Sequence, residues 1–321
     1  MQRFFGRLAA ALVLGAASLA AQANTYSNLF IFGDSLSDTG NIFTVTGGAT
    51  PASPYFNGRF SDGPVWAESL AAGLGLPNGG RASLQGGTNF AFGGARTSGG
   101  TVPSVLSQVG SFATPQAALD PNALYVIVAG GNDMRDARTT FPTMDAAGAT
   151  GRLNAATTAA NNLRTAIGQL AAKGARNVLI ANLPDLGNTP EAVALNLVAP
   201  SSDASLQFNL QINSLLGWGQ GQGLTMSFLD LAGIASAVRN DALNNAGATY
   251  GILNVQTPCG SFQGSIGISC SVSGFSDALH PSARLHALFG AAALAAVPEP
   301  ATWLLMAAGA MALVAARRRR A

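Results

Sequence analysis

Five short apolar runs punctuate the chain, each followed by glycine or small polar residues. They are Asn28–Phe32 (NLFIF), Thr88–Phe92 (TNFAF), Ala123–Gly130 (ALYVIVAG), Asn177–Leu183 (NVLIANL) and Leu224–Asp230 (LTMSFLD). They are apolar nearly throughout rather than alternating, which suits strands buried on both faces of a parallel sheet. Longer stretches with helical spacing lie between them. Leu163, Ile167 and Leu170 recur at intervals of four and three within Asn154–Lys173, and Gly174 is placed to cap that helix. Asp203 stands where a helix running to about Leu216 would begin, and Ser282–Ala296 reads as a last helix rich in Ala and Leu. Strands and helices in alternation predict a three-layer α/β/α sandwich with a mostly parallel, five-stranded sheet over residues 24–296.

Both ends of the chain depart from this pattern. Arg3 and Arg7 precede an apolar run over Leu8–Ala21, and Ala21-Gln22-Ala23 offers a small-residue cleavage site before Asn24. This is the layout of a secretory signal peptide over residues 1–23. The alternative is a membrane anchor, for which the run is short of the roughly 20 residues a span requires. At the other end, Pro298-Glu299-Pro300 precedes an apolar stretch over Ala301–Ala316, which four arginines, Arg317–Arg320, then stop. Residues 297–321 thus read as a short membrane-inserting tail whose charges stay on the cytoplasmic side.

These ends colour the composition. The 321 residues are 48% apolar and 10% charged, ample for a core and too weakly charged for a disordered chain. The whole chain carries a formal charge of +2, but the leader holds two of its basic residues and the tail four, with one acidic residue. Between the two segments 11 basic residues face 14 acidic ones, a net charge of −3. No basic cluster remains there to suggest nucleic acid as a partner. Cys259 and Cys270 lie eleven positions apart, a pair that can close a small loop in an exported protein. Two free thiols are the alternative. A metal site would need more ligands than this pair brings.

In a parallel sheet, ligands bind beyond the carboxyl ends of the strands. "GDS" follows the first run, "GGA" the second and "GGND" the third, so the three polar clusters fall at one edge. Ester hydrolysis by a serine needs an exposed hydroxyl, a base, a group to orient the base, and donors for the oxyanion. Ser35 is the candidate nucleophile. The chain has two histidines; His280 follows Asp277 by three positions in "SDALHP", which brings the two side chains to one side of a turn. His286 reads as a packing residue of the last helix. The Ser35 amide, Gly94 and the Asn132 side chain are candidate oxyanion donors, and Asp34 and Asp38 fit as braces of the turn. Each string alone also suits an ordinary turn.

Taken in order, "GDSLSDTGN", "NFAFGGA", "GGND" and "DALHP" resemble the GDSL esterase/lipase family, also called SGNH hydrolases. "GRFSDGPVWAESLA" and "NLPDLGNTP" look like segments of its bacterial lipase/phospholipase-like branch. The resemblance covers Tyr26 to Ala296 and implies a flavodoxin-like sandwich without metal or organic cofactor. It implies Ser35 as nucleophile, His280 as base, Asp277 as its partner, and Ser35, Gly94 and Asn132 as the oxyanion hole. The serine is not in a G-x-S-x-G string, because Ser37 stands where the last glycine would be.

The ending resembles the PEP-CTERM sorting signal of Gram-negative bacteria that make extracellular polysaccharide. That resemblance implies an exosortase-type membrane enzyme as a partner that removes the tail; a permanent anchor is the alternative. The expectation is an exported serine esterase, periplasmic, surface-bound or secreted, acting on acyl lipids or acylated glycans. An acyltransferase acting on extracellular polysaccharide and a non-catalytic surface protein on the same fold are the competing readings.

Overall fold

The computed structural model describes residues 26–262 and 267–297. The leader expected over residues 1–23 and all but Val297 of the expected tail lie outside the described residues. Asn28–Val297 forms one compact unit.

Four of the five apolar runs form strands: β1 (Leu29–Gly33), β2 (Leu124–Val128), β3 (Asn177–Ala181) and β4 (Thr225–Leu229). They pair in parallel in the order β1-β2-β3-β4, with Ile31 opposite Val126 and Val126 opposite Leu179. The fifth run, Thr88–Phe92, is not a strand of this sheet, so the expected five strands become four. It runs along the free edge of β1, where Ile31 N–H donates to Thr88 O (3.1 Å), Phe90 N–H to Ile31 O (2.7 Å) and Phe92 N–H to Gly33 O (3.1 Å). Only isolated bridges result. The segment diverts a side chain into local bonding, since Asn89 Nδ2 donates to Ser37 O (2.7 Å) and Asn89 Oδ1 accepts from Ala91 N–H. Glycine pairs at 86–87 and 93–94 bound the segment on both sides. Counted as an edge element, it gives the spatial order 2-1-3-4-5, whose reversal at β1 makes a crevice at the carboxyl ends of β1 and β2.

The helices are α1 (Asn41–Val45), α2 (Trp66–Gly73), α3 (Val105–Ala113), α4 (Gly131–Thr140), α5 (Ala146–Ala172), α6 (Pro190–Ala194), α7 (Val198–Gly221), α8 (Leu231–Asn244) and α9 (Ala283–Ala296). On one face of the sheet, Phe32, Tyr125, Ile127, Val178 and Ile180 pack with Val109, Leu163, Ile167 and Phe208 from α3, α5 and α7. Side chains alternate along a strand, so Ile31, Val126 and Leu179 point to the other face, where they are equally buried. α2 packs on α9, and α9 touches β4.

Two helix starts differ from expectation. α5 begins eight positions earlier than Asn154, because Asp145 caps it by accepting from Gly148 N–H at 2.8 Å. α7 begins at Val198, not at Asp203; Asp203 lies inside it and pairs with the buried Arg152 at 2.5 Å. Gly174 does end α5, at φ 112°, with its N–H on Ala171 O and that of Ala175 on Leu170 O. Ser282 caps α9 by accepting from Leu285 N–H.

Candidate active site

β1 ends at Gly33, and the chain turns at once. The Asp34 carbonyl accepts from the N–H groups of Ser37 and Asp38, and Asp34 Oδ1 accepts from Leu36 N–H (3.0 Å). This turn presents Ser35 at the carboxyl edge of the sheet. Gln108 of α3 holds the turn from behind: its Oε1 accepts from Gly33 N–H and its Nε2 donates to Gly33 O, both at 2.9 Å. Asp38 gathers four backbone donors. Oδ1 accepts from Gly40 and Asn41, and Oδ2 from Ile42 (3.2 Å) and Gly93 (2.7 Å). Asp34 and Asp38 thus brace the turn by hydrogen bonds to backbone N–H groups.

His280 lies across from it. Its Nε2 is 2.9 Å from Ser35 Oγ, and its Nδ1 is 2.6 Å from Asp277 Oδ2. An ionised carboxylate only accepts, so Nδ1 carries the proton and Nε2 is left to accept from the serine hydroxyl. The backbone N–H groups of Leu279 (2.7 Å) and His280 (2.5 Å) donate to Asp277 Oδ1, and the Tyr55 hydroxyl donates to Oδ2 (2.5 Å). Burial acts to raise the Asp277 carboxyl, but the hydrogen bonds and charge of His280, with the Tyr55 bond, hold it well below the usual carboxylate range. Burial, then the hydrogen bond and charge of Asp277, push the Tyr55 phenol up, so it remains a donor.

The histidine loop is tied to a distant segment. Ser276 Oγ donates to Asp62 Oδ1 (2.7 Å), which also accepts from Ala283 N–H (2.8 Å). The Phe60 ring stands 5.1 Å from the imidazole. Cys259 and Cys270 are joined in a disulfide, and Cys259 N–H donates to Phe275 O and Ser276 O, just before Asp277. The other histidine, His286, is buried on α9, where burial pushes its pKa down to about 3 and its Nδ1 accepts from Trp66 N–H.

Asn132 sits in the first turn of α4, beyond β2, and lines the same cleft as Ser35 and His280. Its Nδ2 donates to Ala95 O at 2.9 Å, leaving one amide hydrogen over. Gly94 has φ 80°, a conformation that favours glycine, and is exposed. The Gly93 N–H is taken by Asp38, whereas that of Gly94 has no hydrogen-bond partner among the described residues. The cleft is mostly apolar. Leu183, Val238, Val255, Phe275, Leu285 and Phe289 line it, carrying it from Ser35 towards the space between α8 and α9. Among the described residues no group of three or more His, Cys, Asp or Glu side chains could hold a metal ion.

The sequence by itself does not single out Tyr55, Asp62 or Gln108. "SDGP" and "GRFS" flag the region of Asp62 and Phe60, but nothing in the string of residues pairs Tyr55 with Asp277 or Gln108 with Gly33.

A serine, an imidazole and a carboxylate in hydrogen-bonded series, at the carboxyl edge of a parallel sheet within an α/β/α sandwich, form an arrangement capable of nucleophilic acyl transfer. Comparison with protein families agrees with that class. The model of GDSL-like lipases/acylhydrolases matches residues 29–293, and the chain belongs to this family. The model of the PEP-CTERM protein-sorting motif matches residues 296–320, a C-terminal sorting signal that indicates export.

Among curated relatives, the phosphatidylcholine-sterol acyltransferase of Aeromonas hydrophila is 31% identical over 217 residues, 61% of this chain and 57% of that protein. The thermolabile hemolysin of Vibrio parahaemolyticus is 25% identical over 291 residues, 83% of this chain and 63% of that protein. The chain therefore spans little more than half the length of these relatives. Among solved structures, an extracellular lipase from Streptomyces rimosus aligns with 84% of this chain and 99% of its own, at 16% identity and a TM-score of 0.46.

Proposed function

We propose that the chain is an exported serine ester hydrolase working through an acyl-enzyme on Ser35. The observation that carries this reading is the hydrogen-bonded series Ser35–His280–Asp277, with contacts of 2.9 and 2.6 Å. His280 Nε2 takes the Ser35 proton as Oγ attacks the ester carbonyl. The oxyanion is held by the N–H groups of Ser35 and Gly94 and by the Asn132 amide. His280 then protonates the leaving alcohol and activates the water that releases the acid. Asp277 holds the imidazole in the tautomer this needs and stabilises its charged form.

The apolar cleft favours esters of acyl lipids over acetylated glycans as the substrate class. We further assign residues 1–23 to a cleaved signal peptide, 24–296 to the hydrolase domain, and 297–321 to a tail handled by an exosortase-type enzyme. The product is periplasmic, surface-bound or secreted.

Similarity to a phosphatidylcholine-sterol acyltransferase supports a second reading, in which an acceptor alcohol rather than water resolves the same acyl-enzyme.

The test is hydrolysis of p-nitrophenyl esters from acetyl to palmitoyl by the purified protein, with Ser35→Ala beside it. Activity that rises with chain length and vanishes in the variant is expected. Equal hydrolysis by Ser35→Ala would refute the nucleophile. An acceptor alcohol in the assay, with product analysis, separates transfer from hydrolysis.

A further inference from the structure

Asn132 is gripped on both sides. Its Oδ1 accepts from Arg135 Nη1, one turn along α4, at 3.3 Å, while Nδ2 donates to Ala95 O. A planar amide fits a slot in two ways related by a half-turn. With a carbonyl on one side and a guanidinium on the other, only one way pairs a donor with an acceptor at both ends. Turned over, the amide oxygen would face the Ala95 carbonyl and the amino group would face a cation. Arg135 therefore decides which way the amide points, and so which hydrogen is left for the cleft.

Arg135 is itself fixed. Its Nε and Nη2 bind the two carboxylate oxygens of Glu191, at 3.0 and 2.5 Å, in a fork that leaves Nη1 turned to Asn132. Arg138, buried on the same helix, reaches that carboxylate as well and donates to Ser201 Oγ at 3.1 Å. Two guanidiniums sharing one carboxylate leave one net positive charge behind the amide, on the side that favours an oxyanion in front of it. The backbone N–H of Glu191 donates to Ala278 O at 2.8 Å, inside the loop from Asp277 to His280. One residue in the first turn of α6 thus ties the amide side of the cleft to the histidine side.

We propose that Arg135 and Glu191 are positioning residues that set the orientation of the Asn132 amide and with it the strength of the oxyanion site. This rests on the reading of Asn132 as an oxyanion donor. The pair touches neither the nucleophile nor the base; it acts through Asn132.

The test is a double-mutant cycle on the full domain with p-nitrophenyl butyrate, using Arg135→Met, Asn132→Ala and the two combined, with thermal melts alongside. Arg135→Met is expected to lower kcat about tenfold and to leave KM within about twofold. Combined with Asn132→Ala, it is expected to add nothing, because the group it orients is gone. Losses that multiply in the double variant, or a change confined to KM, would overturn the proposal.

If Arg135→Met does not melt cooperatively, Glu191→Gln takes its place. It keeps the backbone bond to Ala278 but cannot charge-pair with both guanidiniums, and the same non-additivity is expected. An active parent with an unimpaired Asn132→Ala variant would remove both the oxyanion assignment and the relay. An impaired Asn132→Ala with an independent Arg135 effect would remove the relay alone. A parent with no ester hydrolysis would remove the proposed function itself.

Discussion

Tyr55 and Asp277 stand 222 positions apart and share a hydrogen bond of 2.5 Å from phenol to carboxylate. Asp277 therefore accepts from four donors: Tyr55 and the His280 ring on Oδ2, and two backbone N–H groups on Oδ1. Those bonds stabilise the ionised form, which is the form that can hold the His280 tautomer.

Replacing Tyr55 by Phe removes one of the four donors and leaves the ring in place. A hydrogen bond to a charged group contributes about 1.5–3 kcal/mol, and the three remaining donors compensate in part, so kcat is expected to fall about fivefold and the melting temperature by about 2–4 °C. Asp277→Asn is expected to cost far more, about a hundredfold or beyond, because the amide no longer enforces the tautomer. Steady-state kinetics on a p-nitrophenyl ester measure both. A Tyr55→Phe enzyme with the parent's kcat would mean the phenol plays no part in holding Asp277.

Burial raises the Asp34 carboxyl from 3.8 to about 7, against the pull of the Leu36 N–H and the charge of His280. The folded chain keeps a proton there that the unfolded chain releases nearer 3.8. Between these two values the native state binds more protons, so this group's contribution to stability declines as pH rises and is lowest above about 7. Asp34→Asn keeps an oxygen for Leu36 and removes the ionisation. Its melting advantage over the parent is expected to grow from near zero at about pH 4 to about 5 °C at about pH 8. Scanning calorimetry across that range checks it; a difference that stays constant with pH would show that Asp34 ionises as an ordinary carboxyl.

The Cys259–Cys270 link closes a loop of eleven positions, and Phe262 within that loop meets the Tyr55 ring edge-on at 4.7 Å. Opening the link costs about 3 kcal/mol by loop entropy. It also frees the segment whose Cys259 N–H braces the residues before Asp277. Reduction, or the paired Cys259→Ser and Cys270→Ser substitutions, is expected to lower the melting temperature by about 5–10 °C and to lower kcat as well. Identical melts and an equal kcat with and without a phosphine reductant would count against both effects.

The sheet is legible in β1, β2 and β3 because burial there is two-sided and the runs are apolar nearly throughout; β4, only partly buried, is legible from its apolar run alone. Thr88–Phe92 has a strand-like composition, yet Asn89 and Gly93 serve the turn after β1, through Ser37 O and Asp38 Oδ2. The start of α5 was hidden by Gly148 and Gly151, which argue against a helix. Gly151 is there because a Cβ would meet the Phe141 ring at 2.4 Å, a constraint only the tertiary structure reveals. Asp203 looked like a cap because nothing in the sequence announced Arg152 as its partner.

The site follows the same division. Ser35, Asp277 and His280 stand in short strings that each suit an ordinary turn and point to a site only when taken in order, and the fold brings them together in space. Tyr55, Gln108, Arg135 and Glu191 act through pairings 56 to 222 positions long or through a neighbour's amide, and a single sequence carries no record of such pairings.

The 245 positions between Ser35 and His280 also impose an order in time. A chain delivered from its first residue presents the serine early and the imidazole late, only a few residues before α9, which closes on α2. Until that moment Ser35 is an ordinary hydroxyl with no proton acceptor beside it. On the proposed function, activity is thus coupled to completion: a chain that stops short of His280 has no base for Ser35, and α9, the last of the described helices, works as the arming step.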